Sequence, residues 1–390
     1  MPDNETVVKM EGVKGVPPFS SPVLPYPPFS SLFLPRGGPL GVFFSYCRRG
    51  AHRIAKLFYI AVFKLQNRNK PNKDLMIVMK NVFTRKPTFT SRMLPLIITL
   101  AFATPLNAWC QHQDTALITP GATPKLVSHQ FSFTEGASTD KDGNVFFTDQ
   151  PNNKIWEYSV DGKLSVFMDS TGRSNGMYFD GKGNLVTCAD EHDQLWSISR
   201  NKKVKVLITG YQGHMLNGPN DLWIAPSGGM YITDPYYQRD YWERKNPDAA
   251  LGGQKLYYLA KGKKELVLAD TSVTQPNGIV GTPDGKTLYV ADMGKWKTFR
   301  YDINSDGTLS NKQLFANEAS DGMTIDERGN LYFTNNGVQI YNPAGKKIVH
   351  IDIPEKWTAN ICFGGKDKKM LFITASEGIY TLQMVVKGVE

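Results

Sequence analysis

One kind of unit opens six times between residues 135 and 361, and this repetition constrains the fold more than any other feature of the chain. The openers are Glu135-Gly136, Asn175-Gly176, Asn220-Asp221, Asn277-Gly278, Asp321-Gly322 and, least regular, Asn360-Ile361. Their spacings are 40, 45, 57, 44 and 39 residues. Nine residues after five of them stands a turn position: Asn144, Asn184, Gly229, Lys286 and Asn330. A hydrophobic stretch follows, often ending in a small residue and Asp, as in FFTD149, YITD234 and LYVAD292.

The first unit shows what each repeat encodes. EGASTD reads as a strand, Lys141 to Asn144 as a tight turn, and VFFTD as a second strand. KIWEYSV (154–160) alternates as a third strand, Asp161-Gly162 is a hairpin signal, and KLSVFMD is the fourth strand. Later units repeat the pattern, with LWSISR and VKVLIT, then KLYYLA and ELVLAD, then FRYDI and KQLFAN. The last unit runs out of chain after YTLQM, and LVSHQFSF (126–133) can complete it from the N-terminal side. Periods near 40 residues with four strands each mean propeller blades, and no stretch sustains a helical apolar period. The expected fold is all-β, a six-bladed β-propeller over residues 120–390. The long third spacing marks an insertion after YITD234, the aromatic and charged run PYYQRDYWERKNPDAAL. It overhangs the channel mouth if that strand ends on the openers' face.

The net charge of +9 suggests a polyanion partner until the chain is divided. Residues 1–103 hold 15 Lys/Arg against 4 Asp/Glu, which leaves 30 against 32 for the rest. The repeat region is near neutral, so nucleic acid is not an expected partner. Residues 1–78, rich in Pro and Phe and then basic, read as a disordered or mis-assigned upstream extension. Residues 79–108 read as a signal peptide that starts at Met79. Lys80, Arg85, Lys86 and Arg92 are its positive segment and MLPLIITLAFA its apolar one. That run is too short to span a bilayer, and Ala101-Phe102-Ala103 supplies a cleavage site. The expectation is a secreted or periplasmic protein with no stable membrane insertion after processing. Four cysteines, Cys47, Cys110, Cys188 and Cys362, form neither a disulfide framework nor a zinc spacing. Cys188 and Cys362 read as buried free thiols.

An opener that begins the innermost strand of its blade points its side chain into the central channel. Glu135, Asn220, Asn277 and Asp321 then converge at one level, offering two carboxylates and two amides. An all-oxygen set of that charge suits a hard divalent cation, and the absence of His argues against a three-His zinc site. Asn and Asp at strand starts also serve turn backbone, so no single opener carries this argument. Two motif matches are decoys. Gly172 to Gly176 fits G-x-S-x-G around Ser174 but precedes a strand rather than a helix. The run from Asp302 resembles a calcium loop, but its twelfth position is Gln313 and both flanks read as the outer hairpin of the fourth blade.

The segments TEGAS (134–138), LNGPNDLWIAPSGGMYITDPYY (216–237), QPNGIVGTPDGKTLYVAD (275–292) and DGMTIDERGNLYFT (321–334) together resemble the gluconolactonase/regucalcin (senescence marker protein) family, bacterial gluconolactonase branch. The resemblance spans roughly residues 126–385. It implies a six-bladed propeller with one divalent cation in its channel, calcium as the usual occupant and zinc, manganese or magnesium as others. The implied ligands are Glu135, Asn220, Asn277 and Asp321. The implied reaction is hydrolysis of a sugar lactone to an aldonic acid, with Asp321 also the catalytic base. Asn175, Asp221 and His192 are the candidate substrate contacts; Asn175 equally fits a turn role, Asp221 equally fits an orienting role beside Asn220, and Glu191, His192 and Asp193 read more readily as a solvated turn. Some relatives carry Arg two residues before the third opener, where this chain has Gly218. Another ester or phosphotriester hydrolase on the same fold, or a non-catalytic calcium- or sugar-binding propeller, are the alternatives.

Overall fold

The computed structural model describes residues 116–389, so the expected leader and the extension before it lie outside the described residues. The repeat reading of the fold holds: six four-stranded antiparallel sheets follow one another as the blades of a β-propeller. Their innermost strands are Thr134–Thr139, Ser174–Phe179, Leu222–Ile224, Pro276–Gly281, Met323–Ile325 and Thr358–Gly364. Five blades are built from consecutive strands. The sixth takes its outermost strand, Lys125–Ser128, from before the first blade, where it pairs antiparallel with Gly378–Gln383. The ring therefore closes by hydrogen bonds between the two ends of the domain, as residues 126–133 suggested, through a shorter strand.

Burial falls from the axis outward. The second strands, such as Val145–Asp149, Leu185–Ala189 and Leu331–Asn335, are buried at every position, while the outermost strands Val204–Ile208 and Lys347–Ile351 are mostly exposed. Large side chains from neighbouring blades share one core: Trp223, Tyr231, Tyr289 and Phe333 pack together across the third to fifth blades. Cys188 and Cys362 are buried free thiols, as the sequence indicated.

The turn nine residues after each opener has a common chemistry in three blades. Asp140, Asp180 and Asp326 each accept from two backbone N–H groups of their own hairpin and from the amide of Asn144, Asn184 and Asn330. The acids that end the second strands are clamps as well. Asp149, Asp234 and Asp292 each accept from the two backbone N–H groups just before their blade's opener. The second blade has Ala189 at that position. There Asn153 Oδ1 takes the N–H groups of Thr171 and Arg173 instead.

The Gly that follows an opener has a packing reason that turn chemistry does not supply. A Cβ on Gly136 would lie 2.1 Å from Asn175 O, one on Gly176 2.5 Å from Asn220 O, and one on Gly278 2.2 Å from Asp321 O. Adjacent innermost strands touch backbone to backbone at the axis, and only Gly permits that approach. Gly136 also has φ +58. Gly136→Ala is expected to cost about 2–4 kcal/mol, from left-handed strain and overpacking together. A urea melt reads this as a lower midpoint at unchanged slope, and an unmoved midpoint contradicts it.

Candidate active site

Four openers sit where their strand pairing is irregular, and Asn220 and Asp321 stand just before the first paired residues of their strands. Register shifts fall between Glu135 and Ser138, Ser174 and Met177, Pro276 and Ile279, and Thr358 and Asn360. The irregularity releases the opener from the sheet's alternation, and all six opener side chains are buried. They are the buried polar groups at the start of each blade's innermost strand.

Among these groups Glu135 and Asp321 are 5 % and 8 % exposed, too little for water to solvate both charges. Among the described residues neither forms an ion pair. Burial, followed by the charges of Asp321 and Asp221, pushes the Glu135 carboxyl well above the usual carboxylate range. Burial also pushes Asp321 up to about 6, against the opposing hydrogen bonds of Trp357 and Asn277 and the charge of Arg239. Trp357 Nε1 donates to Asp321 Oδ2 at 2.5 Å, and Asn360 Nδ2 donates to Glu135 Oε2 at 3.4 Å. Asn277 Nδ2 donates to the Tyr237 hydroxyl at 3.1 Å. The Asn175 side-chain oxygen is buried with no hydrogen-bond partner.

This is a carboxylate-rich pocket short of positive charge, holding one orphaned amide oxygen. Two carboxylates and several amides, all oxygen donors, fit a hard divalent cation, which would neutralise the repulsion between Glu135 and Asp321. The structure thus brings Glu135, Asn277 and Asp321 into one electrostatic group, with Asp221 acting on Glu135. Asn220 and Asn175 hold the equivalent positions and are buried. His192 stands apart from them. It is exposed, and its ring stacks on Trp196 at 5.3 Å between centroids. The turn of Asp190 to His192 directs Asp190 inward and His192 out, so the inward group of that segment is a residue the sequence reading passed over.

Three further contacts were not foreseen. Trp357 and Asn360 touch the two acids because the sixth blade's innermost strand lies between them around the ring. Tyr237 reaches Asn277 because the insertion at 235–251 does cross the channel mouth. Only the position of that insertion, directly after a second strand, signalled this. Both decoys are resolved. The Ser174 hydroxyl is buried and donates to Thr171 O, and the Asp302 run is the hairpin between Lys297–Ile303 and Leu309–Ala316.

Known proteins carry the same pattern. The model of the SMP-30/Gluconolactonase/LRE-like region matches residues 133–377. The gluconolactonase of Zymomonas mobilis is 26% identical over 298 residues, 68% of this chain and 83% of that protein. The 6-deoxy-6-sulfogluconolactonase of Pseudomonas putida is 29% identical over 166 residues, covering 40% of this chain and only 53% of that protein. The solved structure of a gluconolactonase from Xanthomonas campestris superposes with a TM-score of 0.65 at 24% identity, over 70% of this chain and 92% of that one, and speaks for the fold. The ring of openers, the blade pattern and the matched span together place this chain in the SMP-30/gluconolactonase/LRE-like family.

Proposed function

We propose that the protein hydrolyses a sugar lactone, of the gluconolactone kind, to the open-chain aldonic acid. The observation that carries this is the buried pair Glu135 and Asp321, two acids of like charge with no basic partner in contact and amides around them. Glu135, Asn220, Asn277 and Asp321 would hold one divalent cation, with calcium the leading candidate. Such a cation supplies Lewis acidity at a carbonyl oxygen.

The chain's own groups define the remaining chemistry. Asp321 is the group suited to take the proton of the attacking water, because it is a carboxylate beside the cation position and its Oδ2 is fixed by the Trp357 N–H. Asn277 keeps Asp321 oriented while its own amide is held by Tyr237. Asn175 Oδ1 and Asp221 line the same ring as candidate contacts for sugar hydroxyls.

A pH-indicator assay with glucono-1,5-lactone, run with and without chelator, tests the reading. A rate that vanishes on chelation and returns with calcium is expected. The absence of any metal-dependent rate across a panel of sugar lactones overturns it. Export through the segment that starts at Met79 is part of the same proposal. N-terminal sequencing of protein from the extracellular or periplasmic fraction should begin between residues 104 and 109. A start upstream of Met79 contradicts export by this segment.

A further inference from the structure

The insertion at 235–251 is fastened to the second blade through one buried acid. Asp190 is 1% exposed, and its Oδ2 accepts from Arg239 Nε at 2.8 Å, Tyr241 OH at 2.5 Å and Gln150 Nε2 at 3.0 Å. Its backbone oxygen accepts from Trp242 Nε1 at 3.1 Å. Arg244 extends the fastening to Asp193 and to the carbonyls of Leu216 and Asn217, and its guanidinium lies 3.9 Å over the Trp242 ring. A surface loop rarely commits so many side chains to one anchor unless its position matters.

Gly218 completes the fit. It has φ +138, and a Cβ there would lie 2.6 Å from Trp242 Cη2 and 2.8 Å from Asp190 Oδ1. A side chain at 218, two residues before Asn220, and a fastened loop exclude each other. The loop fills that space and sends two donors toward the ring. The Tyr237 hydroxyl accepts from Asn277 at 3.1 Å, which leaves its proton free to donate. Arg239 lies within electrostatic reach of both acids, 23% exposed, with its ring neighbour Tyr237 at 5.8 Å. Its Nε is committed to Asp190, but among the described residues no oxygen accepts from its two terminal nitrogens.

We propose that Arg239 and Tyr237 are the substrate-orienting donors of this site, binding hydroxyl and ring oxygens of the lactone, and that Asp190 is the residue that positions them. This rests on the lactonase reading. The insertion thereby supplies from above the channel a cation that residue 218 has no room to carry.

The test uses the full chain with calcium. Arg239→Met is expected to raise KM for glucono-1,5-lactone at least tenfold with kcat changed less than threefold, and Tyr237→Phe to raise it severalfold. Asp190→Asn is expected to raise KM to a similar degree. It is also expected to speed tryptic cleavage after Arg244 and Lys245 about tenfold, while the calcium-induced rise in melting temperature stays as in the parent. In the parent, gluconate is expected to slow that cleavage. If the parent turns lactone over and both Arg239→Met and Tyr237→Phe keep KM within twofold, the loop assignment is wrong and the lactonase reading stands. If the parent turns over no lactone, both fail.

Discussion

Asp321→Asn leaves the propeller folded and lowers kcat/KM on glucono-1,5-lactone by about 10³, the usual contribution of a positioned general base. The substitution keeps size and shape, and the Asn oxygen can accept from the Trp357 N–H that now holds Oδ2, with its second lone pair left for a cation. What it removes is the capacity to take a proton. The loss should fall in kcat, because one oxygen donor toward a cation survives the change. A calcium-dependent shift of the melting temperature reads that retained binding separately from turnover. Full activity in Asp321→Asn refutes the base assignment. Loss of both turnover and calcium response makes Asp321 a ligand only.

Saturating calcium raises the melting temperature by about 5–10 °C over chelated protein. A ligand at a hundred times its dissociation constant contributes about 2.7 kcal/mol, and a domain of this size shifts roughly 2–4 °C per kcal/mol. The cause lies in Glu135, whose charge in the cation-free protein is opposed by burial and by Asp321 and Asp221. Glu135→Gln removes that opposition. Its cation-free form should melt at or above the parent, and calcium should no longer raise its melting temperature. A burial-driven penalty and a cation-driven gain have opposite signs in this one variant. If chelation leaves the parent's melting temperature unmoved and metal analysis of the purified protein finds none, the cation reading is wrong.

The fold was legible because its signal is redundant. Each blade repeats the alternation of side chains and an opener, and three add the Asp-to-Asn hairpin turn, so errors at one blade are corrected by the others. Even ring closure through residues 126–133 followed from counting strands. The site was legible where it coincided with the repeat: Glu135, Asn277 and Asp321 share a register, and the register delivers them to the axis. His192 is exposed while Asp190, two residues before it, is buried, and that division comes from the one-turn geometry of the segment, which no sequence period encodes. Trp357 is three residues before its opener and aromatic, which in a sequence reads as core.

The sequence by itself determined the number of blades, the position of the axis residues and the chemical type of the donors, since all three are periodic properties of local residue choice. Only the tertiary structure decided which groups surround those donors. The Gly after four of the openers proved to be the contact between neighbouring blades. Asn360 and Trp357 reach acids on other blades, and Asp190 fastens an insertion 49 residues away. Such contacts are made by closing the ring and folding the loop across it, and no local pattern carries the distance between two residues that meet only then.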